Sequence, residues 1–346
     1  MDQFTGFQAG ANLGGWISQY GRYDHEHFKT FITQADIQRI ASWGMDHVRL
    51  PFDYPVLEDD DAPFQYKESG WGYLDSCVDW CEAAGLNLIL DLHRAPGYAF
   101  YTLEENALFS NAQAQERFIQ LWETIARRYR QRTKVKIVLE LLNEMVLPDS
   151  APWNDLAHRT IQRIRAIDPD RWIMYGGNHY NAASELKNIT LVDDPHIVYT
   201  FHFYHPMPFT HQRAYWVPEL IALNQITPYP GMVPGVKEFL QAQPEFTEKL
   251  QSWETRPMDV NFVKEKLQPA VDFIQQTGLP LYCGEYGAID LAEISSRLNW
   301  HREFVGLLRE HNIGRAVWSY KEMNFALVWA NGETVSEELV RIVSAA

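Results

Sequence analysis

Three cysteines in 346 residues leave no basis for a disulfide framework. Cys77 and Cys81 stand four apart on one helix face, an awkward geometry for a bridge, and Cys283 is isolated. All three read as small buried hydrophobes of a reducing compartment. Positive charge is also scarce: 30 Lys and Arg face 45 Asp and Glu, for a net charge of −15. That balance argues against nucleic acid or an anionic membrane as partner, since both demand basic surface. No run of eighteen apolar residues exists, so no membrane span is expected. The amino terminus, Met1-Asp-Gln-Phe-Thr-Gly-Phe7, has neither a basic n-region nor an apolar h-region. The chain as it stands is therefore expected in the cytoplasm, and outside the cell only if a leader was removed. Asn188-Ile-Thr190 matches a glycosylation acceptor, which without export is a chance match. No repeat, linker or low-complexity tract interrupts the chain. Glycines between Gly10 and Gly15 lack the dinucleotide-binding spacing. No cofactor and no metal is expected.

What is present is apolar and aromatic. The hydrophobic share is 46% and the aromatic share 14%, with 12 Trp and 17 Tyr. Most of these belong to a core. Tryptophans in loops would suit stacking on the CH faces of sugar rings.

Strand and helix signals alternate from end to end. The strand candidates are 10–16, 47–51, 86–93, 136–144, 171–176, 197–204, 280–287 and 315–320. Several are the short, nearly continuous apolar runs of parallel strands covered on both faces. Between them lie amphipathic segments at 34–43, 74–84, 112–129, 155–167, 262–277 and 295–311. Gly44, Gly85 and Gly278 follow three of these as stop signals. Eight strands alternating with helices describe a single α/β domain over residues 1–346, a (β/α)₈ TIM barrel. The longest departure runs from Tyr204 to about Asp259 and holds Trp216 and Trp253. A loop this long is usually functional. It is expected to pass over the barrel mouth at about 205–259, with both tryptophans walling one end of a cleft.

Polar residues gather at the carboxyl ends of the strands, where barrel enzymes keep their chemistry. Arg49 closes the second strand, His93 the third, Asn143 and Glu144 the fourth. His202 and Tyr204 close the sixth, Glu285 the seventh and Trp318 the eighth. A carboxylate at the mouth of an apolar strand is costly unless something holds it there. Two on different strands are what acid-assisted displacement at a sugar carbon requires.

In this set the chain resembles glycoside hydrolase family 5, the cellulase-type family of retaining β-glycosidases. The likeness runs from Ala11-Asn-Leu-Gly-Gly-Trp16 to Val317-Trp-Ser-Tyr320. An Arg, a His, an Asn-Glu pair, a His-x-Tyr, a Glu and a Trp recur in that order, and all eight positions are filled here. The resemblance implies that Glu144 is the acid/base and Glu285 the nucleophile. Arg49, His93, Asn143, His202, Tyr204 and Trp318 would bind substrate or hold the two carboxyls. It further implies a β-linked glucan or oligosaccharide as the partner. Asn12-Leu-Gly-Gly-Trp and Leu92-His-Arg-Ala-Pro-Gly97 are similar to exo-β-1,3-glucanases. Phe201-His-Phe-Tyr-His-Pro206 looks more like bacterial cellulase-related proteins, which often place an acidic residue where this chain has His205.

Other residues compete for attention. Glu140 shares the inward parity of Glu144 and reads as a buried carboxylate with a partner. Asp91 has the parity of His93 and reads as an anchor. His25-Glu26-His27 looks like a metal cluster but is expected in a solvated loop. His205, His211, Lys321 and Glu322 are candidates for substrate contact or simple pairing. Two alternative classes exist beside a secreted-type endo-β-1,4-glucanase. A metal-dependent barrel hydrolase would want a His-x-His on the first strand, which is missing. A catalytically dead sugar-binding barrel would be expected to lose a Glu, and both are present.

Overall fold

The computed structural model describes residues 4–102 and 106–346. Residues 1–3, which open the amino-terminal stretch read above, lie outside it. Eight parallel strands close into a barrel in sequence order. They are β1 (Ala9–Asn12), β2 (His47–Asp53), β3 (Asn87–Arg94), β4 (Ile137–Glu140), β5 (Ile173–Gly176), β6 (Ile197–Phe203), β7 (Leu281–Tyr286) and β8 (Gly314–Val317). Closure is made by β1 pairing with both β2 and β8. Every strand lies where an apolar run was read, and nearly all strand residues are buried. Burial on both faces follows from helices that cover the outside of the sheet.

The covering helices include Gln34–Ser42, Glu68–Ala84, Ala112–Tyr129, Ala151–Arg165, Val260–Thr277 and Ile294–Glu310. Their ends obey local chemistry. Asp259 caps the fifth of these by accepting from the Phe262 amide, and Gly278 ends it in the left-handed conformation. The connection from β5 to β6 differs: it holds a four-residue helical turn, Asn178–Asn181, with left-handed residues inside it, followed by a 3₁₀ turn, Ala183–Asn188. A final helix, Glu337–Val343, covers β8 from beyond the last strand. His25-Glu26-His27 opens a short helix, His25–Thr30, instead of a loop, and its two histidines bond elsewhere. His25 meets the Tyr73 hydroxyl at 2.6 Å, and His27 meets the Gly15 carbonyl at 2.7 Å. Among the described residues no helix is long and apolar enough to cross a membrane.

Three strands stop well short of the bounds read: β1 ends at Asn12, with Leu13 still donating to the Arg49 carbonyl, and β4 and β8 do the same. β4 ends at Glu140, yet the next residues stay tethered on both sides: Leu141 donates to the Met174 carbonyl and Asn143 to the Leu92 carbonyl. β8 ends at Val317, while Trp318 still donates to Tyr286 and Tyr320 to Asn12. The chain thus leaves the ladder but not the barrel, freeing side chains to turn into the mouth.

The segment from His205 to Asp259 divides in two. Its first part stays by the mouth, where the His211 and Trp216 rings pack on Phe325, 5.3 and 6.4 Å between centroids. Its later part folds onto the outer helices. Tyr229 bonds Ser296 and Glu303 of helix Ile294–Glu310. Trp253 corrects the expectation of a two-tryptophan wall: it is buried with its ring 4.9 Å from that of Phe262. Burying an indole against a neighbouring helix outweighs leaving it exposed for a ligand. Only Trp216, 41% exposed, presents its ring outward.

Candidate active site

Arg49 organises the mouth. Its side chain points inward from β2 with no exposure to solvent, and every nitrogen has a partner. Nε and Nη2 donate to the two oxygens of Glu140 at 2.6 and 2.9 Å. Nη1 donates to Asn12 Oδ1 and to Glu285 Oε1, both at 2.8 Å. Nη2 also reaches Asn143 Oδ1 and Asp91 Oδ2, both at 3.0 Å. The planar fork of a guanidinium suits this many acceptors, where an ammonium would not. Three carboxylates therefore share one cation in a dry site. They cannot all be charged without cost. Burial pushes Asp91 and Glu140 each up to about 7, with Arg49 pulling the other way.

The two mouth glutamates are held unequally. Glu285 has both oxygens occupied, since Oε1 accepts from Arg49 and Oε2 accepts from the Tyr204 hydroxyl at 2.9 Å. Burial raises its pKa, while Arg49, His93 and the Tyr204 bond work against that rise. Glu144 is driven well above the usual carboxyl range, first by burial and then by the negative charge of Glu285. Its only side-chain partner among the described residues is His202, whose Nδ1 lies 2.9 Å from Oε1. Hydrogen bonds on both oxygens favour ionisation at Glu285, while Glu144, with one such partner and the Glu285 charge nearby, favours the neutral acid. An oxygen of each, with a ring nitrogen of His202, all fall within 4.8 Å of one another. That spacing would also admit a cation.

The histidines are neutral. Burial lowers His202 well below its usual value, and the Arg49 charge adds to this. Asn181 Nδ2 faces His202 Nε2 at 3.4 Å; in the tautomer with the proton on Nδ1, Nε2 accepts from Asn181 and Nδ1 donates to Glu144 Oε1. Glu144 Oε2 is then the oxygen able to carry a transferable proton. Asn181 lies over Gly176, where a Cβ would come 2.5 Å from its Oδ1, so the close approach needs glycine. His93 falls to about 3, again by burial first. Its Nδ1 bonds Asp91 at 2.7 Å, and buried Nε2 has no partner among the described residues. Asn143 Nδ2 is likewise unpartnered. The Trp318 ring lies parallel to His93, 5.6 Å between centroids. It also lies against Gly14, where a Cβ would come 2.8 Å from the indole.

All eight residues singled out in the sequence thus converge on one mouth. Glu140 and Asp91 are the partners of Arg49 and, for Asp91, of His93. His211 packs edge-on against Tyr204 at 5.1 Å between centroids, and Lys321 donates to the Phe31 carbonyl at 2.9 Å. Missed were Asn12, Tyr98 and Asn181. Asn12 had a signal, being a polar residue at the carboxyl end of β1. Asn181 ends the short helical turn Asn178–Asn181 and Tyr98 closes a tight turn after β3, and no periodicity marks either. A cavity of about 630 Å³ lies beside the mouth, lined in part by Asp149, His158, His179 and Glu185; none of the eight residues lines it.

Comparison with known proteins agrees with this geometry. Residues 7–324 match the family model described as Cellulase (glycosyl hydrolase family 5). Endoglucanase C of Acetivibrio thermocellus is 45% identical over 338 residues, covering 98% of each chain. Cellodextrinase A of Ruminococcus flavefaciens is 37% identical over 91% of this chain and 86% of its own. Among solved structures, Thermotoga maritima Cel5A in complex with cellobiose superposes with a TM-score of 0.76 at 20% identity, covering 97% of each chain. That likeness speaks to the fold. The family match and the relatives together settle the family: the chain belongs to glycosyl hydrolase family 5 and is an O-glycosyl hydrolase.

Proposed function

We propose that this protein cleaves β-glucosidic bonds by double displacement, with Glu285 as nucleophile and Glu144 as acid/base. The observation that carries the reading is the unequal holding of two carboxyls whose oxygens approach within 4.8 Å. Retaining enzymes keep their carboxyls about 5–5.5 Å apart, whereas inverting ones need roughly 6.5–9.5 Å to admit a water. Glu285, ionised between Arg49 and Tyr204, attacks the anomeric carbon. Glu144 passes its proton to the leaving oxygen, and the glycosidic bond breaks as the glycosyl–Glu285 ester forms. Water then attacks the same carbon, Glu144 takes its proton back, and Glu285 is released. Asn143 offers its free amide N–H to the 2-hydroxyl, and His93 Nε2 accepts from another sugar hydroxyl. Trp318 forms the floor of the cleaved position.

β-Glucan chains and their soluble oligosaccharides are the proposed substrates, by the names of the relatives. A relative called an endoglucanase favours internal cleavage, and one called a cellodextrinase favours short chains. Trp216, half-exposed beside Phe325, favours the second, because it narrows one end of the mouth. Viscosity of a soluble β-glucan followed against reducing ends separates them. A steep early fall with few ends released means internal cleavage.

Glu144→Ala tests the mechanism. Hydrolysis of an oligosaccharide should fall about 10²–10⁴-fold, and that of a 2,4-dinitrophenyl glycoside much less, because so good a leaving group needs little protonation. Azide should then restore turnover and give the β-glycosyl azide. An α-azide product overturns the retaining mechanism. Activity unaffected by a chelator is expected, and its loss would favour a metal held by Glu144, His202 and Glu285.

A further inference from the structure

Glu144 sits in a backbone conformation that its side chain does not favour. Its φ is +38°, in the left-handed region, just past the point where β4 leaves the ladder. Something outside the segment must hold it there. The Tyr98 hydroxyl donates to the Glu144 carbonyl at 2.6 Å and accepts from the Val146 amide at 2.9 Å. One oxygen therefore ties together both sides of the strained residue. Beyond it, Tyr180 donates its amide to the Met145 carbonyl at 3.0 Å. Asn178 then holds Leu147 at both backbone atoms, 2.9 Å each.

Tyr98 is itself placed by a turn. Ala95 and Tyr98 exchange amide and carbonyl at 3.0 and 2.9 Å around Pro96-Gly97. Gly97 has φ +73° there, the value that the third residue of a type II turn requires. The Tyr98 ring packs edge-on to Phe109, 5.4 Å between centroids, and is buried. The hydroxyl is thus delivered from the Ala95–Tyr98 turn after β3 to the segment that follows β4.

We infer that Tyr98 is a positioning residue for the general acid: it fixes the backbone of Glu144 so that the carboxyl faces the leaving oxygen. The inference rests on the reading of Glu144 as acid/base. Without the clamp the strained φ relaxes, and the carboxyl swings away from the bond it protonates. A misplacement of about 1 Å can cost on the order of 10²-fold in rate. The loss should fall on substrates that need the proton, and not on those that do not.

The test compares Tyr98→Phe, which keeps the ring and removes the hydroxyl, with Glu144→Ala and the parent enzyme. kcat/KM is measured for aryl β-cellobiosides spanning phenyl to 2,4-dinitrophenyl leaving groups, with melting temperature alongside. For Tyr98→Phe a loss of about 10–100-fold is expected on the phenyl glycoside and less than about 3-fold on the dinitrophenyl one. A uniform loss across leaving groups, or none, overturns the inference. If Glu144→Ala shows no leaving-group dependence, the acid/base reading itself fails. If Glu144→Ala shows it and Tyr98→Phe does not, only the role of Tyr98 fails. Should Tyr98→Phe not fold, Asn178→Ala loosens the same segment from the other side. The same leaving-group selectivity, smaller in size, is expected of it, and a uniform loss counts against the inference.

Discussion

His47 and His93 stand on neighbouring strands, both wholly buried, both pointing into the barrel, and both bonded through Nδ1 to an aspartate. The distances are 2.6 Å to Asp46 and 2.7 Å to Asp91. They differ at the other nitrogen. His47 Nε2 meets the Tyr282 hydroxyl at 2.6 Å, inside the apolar layer of Phe7, Ile89, Val138 and Met174 that fills the amino-terminal end. His93 Nε2 has no partner among the described residues. One end of the barrel completes its polar network and the other leaves it open. Buried polar groups are ordinarily satisfied, so the open ones mark where a ligand completes them. Asn143 Nδ2, just past the end of β4, repeats the pattern. The same residue type, buried at both ends, is satisfied below and left free above, where the proposed function has it meet substrate.

Removing the nucleophile tests the upper end most severely. Glu285→Gln should lower kcat by about 10⁴-fold or more with the fold intact, because an amide can neither attack nor leave. Near-normal turnover by a folded Glu285→Gln protein would break the assignment. Arg49→Met is expected to cost about 3–5 kcal/mol of stability, since it strips the cation from Glu140, Asp91 and Glu285. The urea midpoint reads this. A midpoint within error of the parent would mean the three carboxyls are neutral without it.

The histidine pair sharpens the contrast directly. His47→Ala should cost about 1–3 kcal/mol of stability and leave kcat/KM unchanged, because Tyr282 and Asp46 lose their shared partner far from the mouth. His93→Ala should do the reverse, lowering kcat/KM by about 10-fold or more with little change in midpoint. Equal behaviour of the two variants would dissolve the distinction between the ends.

The pH profile follows from the two glutamates. Glu144 acts only while protonated, and its pKa is raised, so kcat/KM should fall as pH rises through a value above the ordinary carboxyl range. As the proposed nucleophile, Glu285 would act only while ionised and set the acid limb. Glu144→Gln should abolish the alkaline limb, and a limb that persists unchanged belongs to another group. The smallest effect is expected of Trp216→Ala. Losing one aromatic contact costs about 0.5–1.5 kcal/mol, so KM for oligosaccharides should rise roughly 2- to 10-fold. Trp253→Ala should instead lower stability, because that ring is packed on Phe262.

Much of the upper end was legible beforehand because strands alternate with period two. Once the apolar runs were aligned, Arg49, Asp91 and His93 shared the inward face, and Glu140 shared it with Glu144. The lower end was less legible. His47 looks like any strand residue, and only the ring of Tyr282 reaching across the barrel shows that it is satisfied. Trp216 and Trp253 looked alike within one long loop, and packing against Phe262 separated them.

Sequence alone determined the alternation of eight apolar runs with amphipathic helices, and with it a barrel whose polar strand ends meet at one mouth. Those features are local, set by side-chain periodicity and by stop signals such as Gly278. Tertiary structure alone decided how each group at the mouth is held. The hydrogen bonding of His202 depends on Asn181 and Glu144, which follow other strands. The pKa order of Glu144 and Glu285 depends on which carboxyl Arg49 and Tyr204 reach. The backbone of Glu144 depends on Tyr98, 46 residues away. Hydrogen bonds and buried charges are satisfied by neighbours in space, and chain order does not name those neighbours.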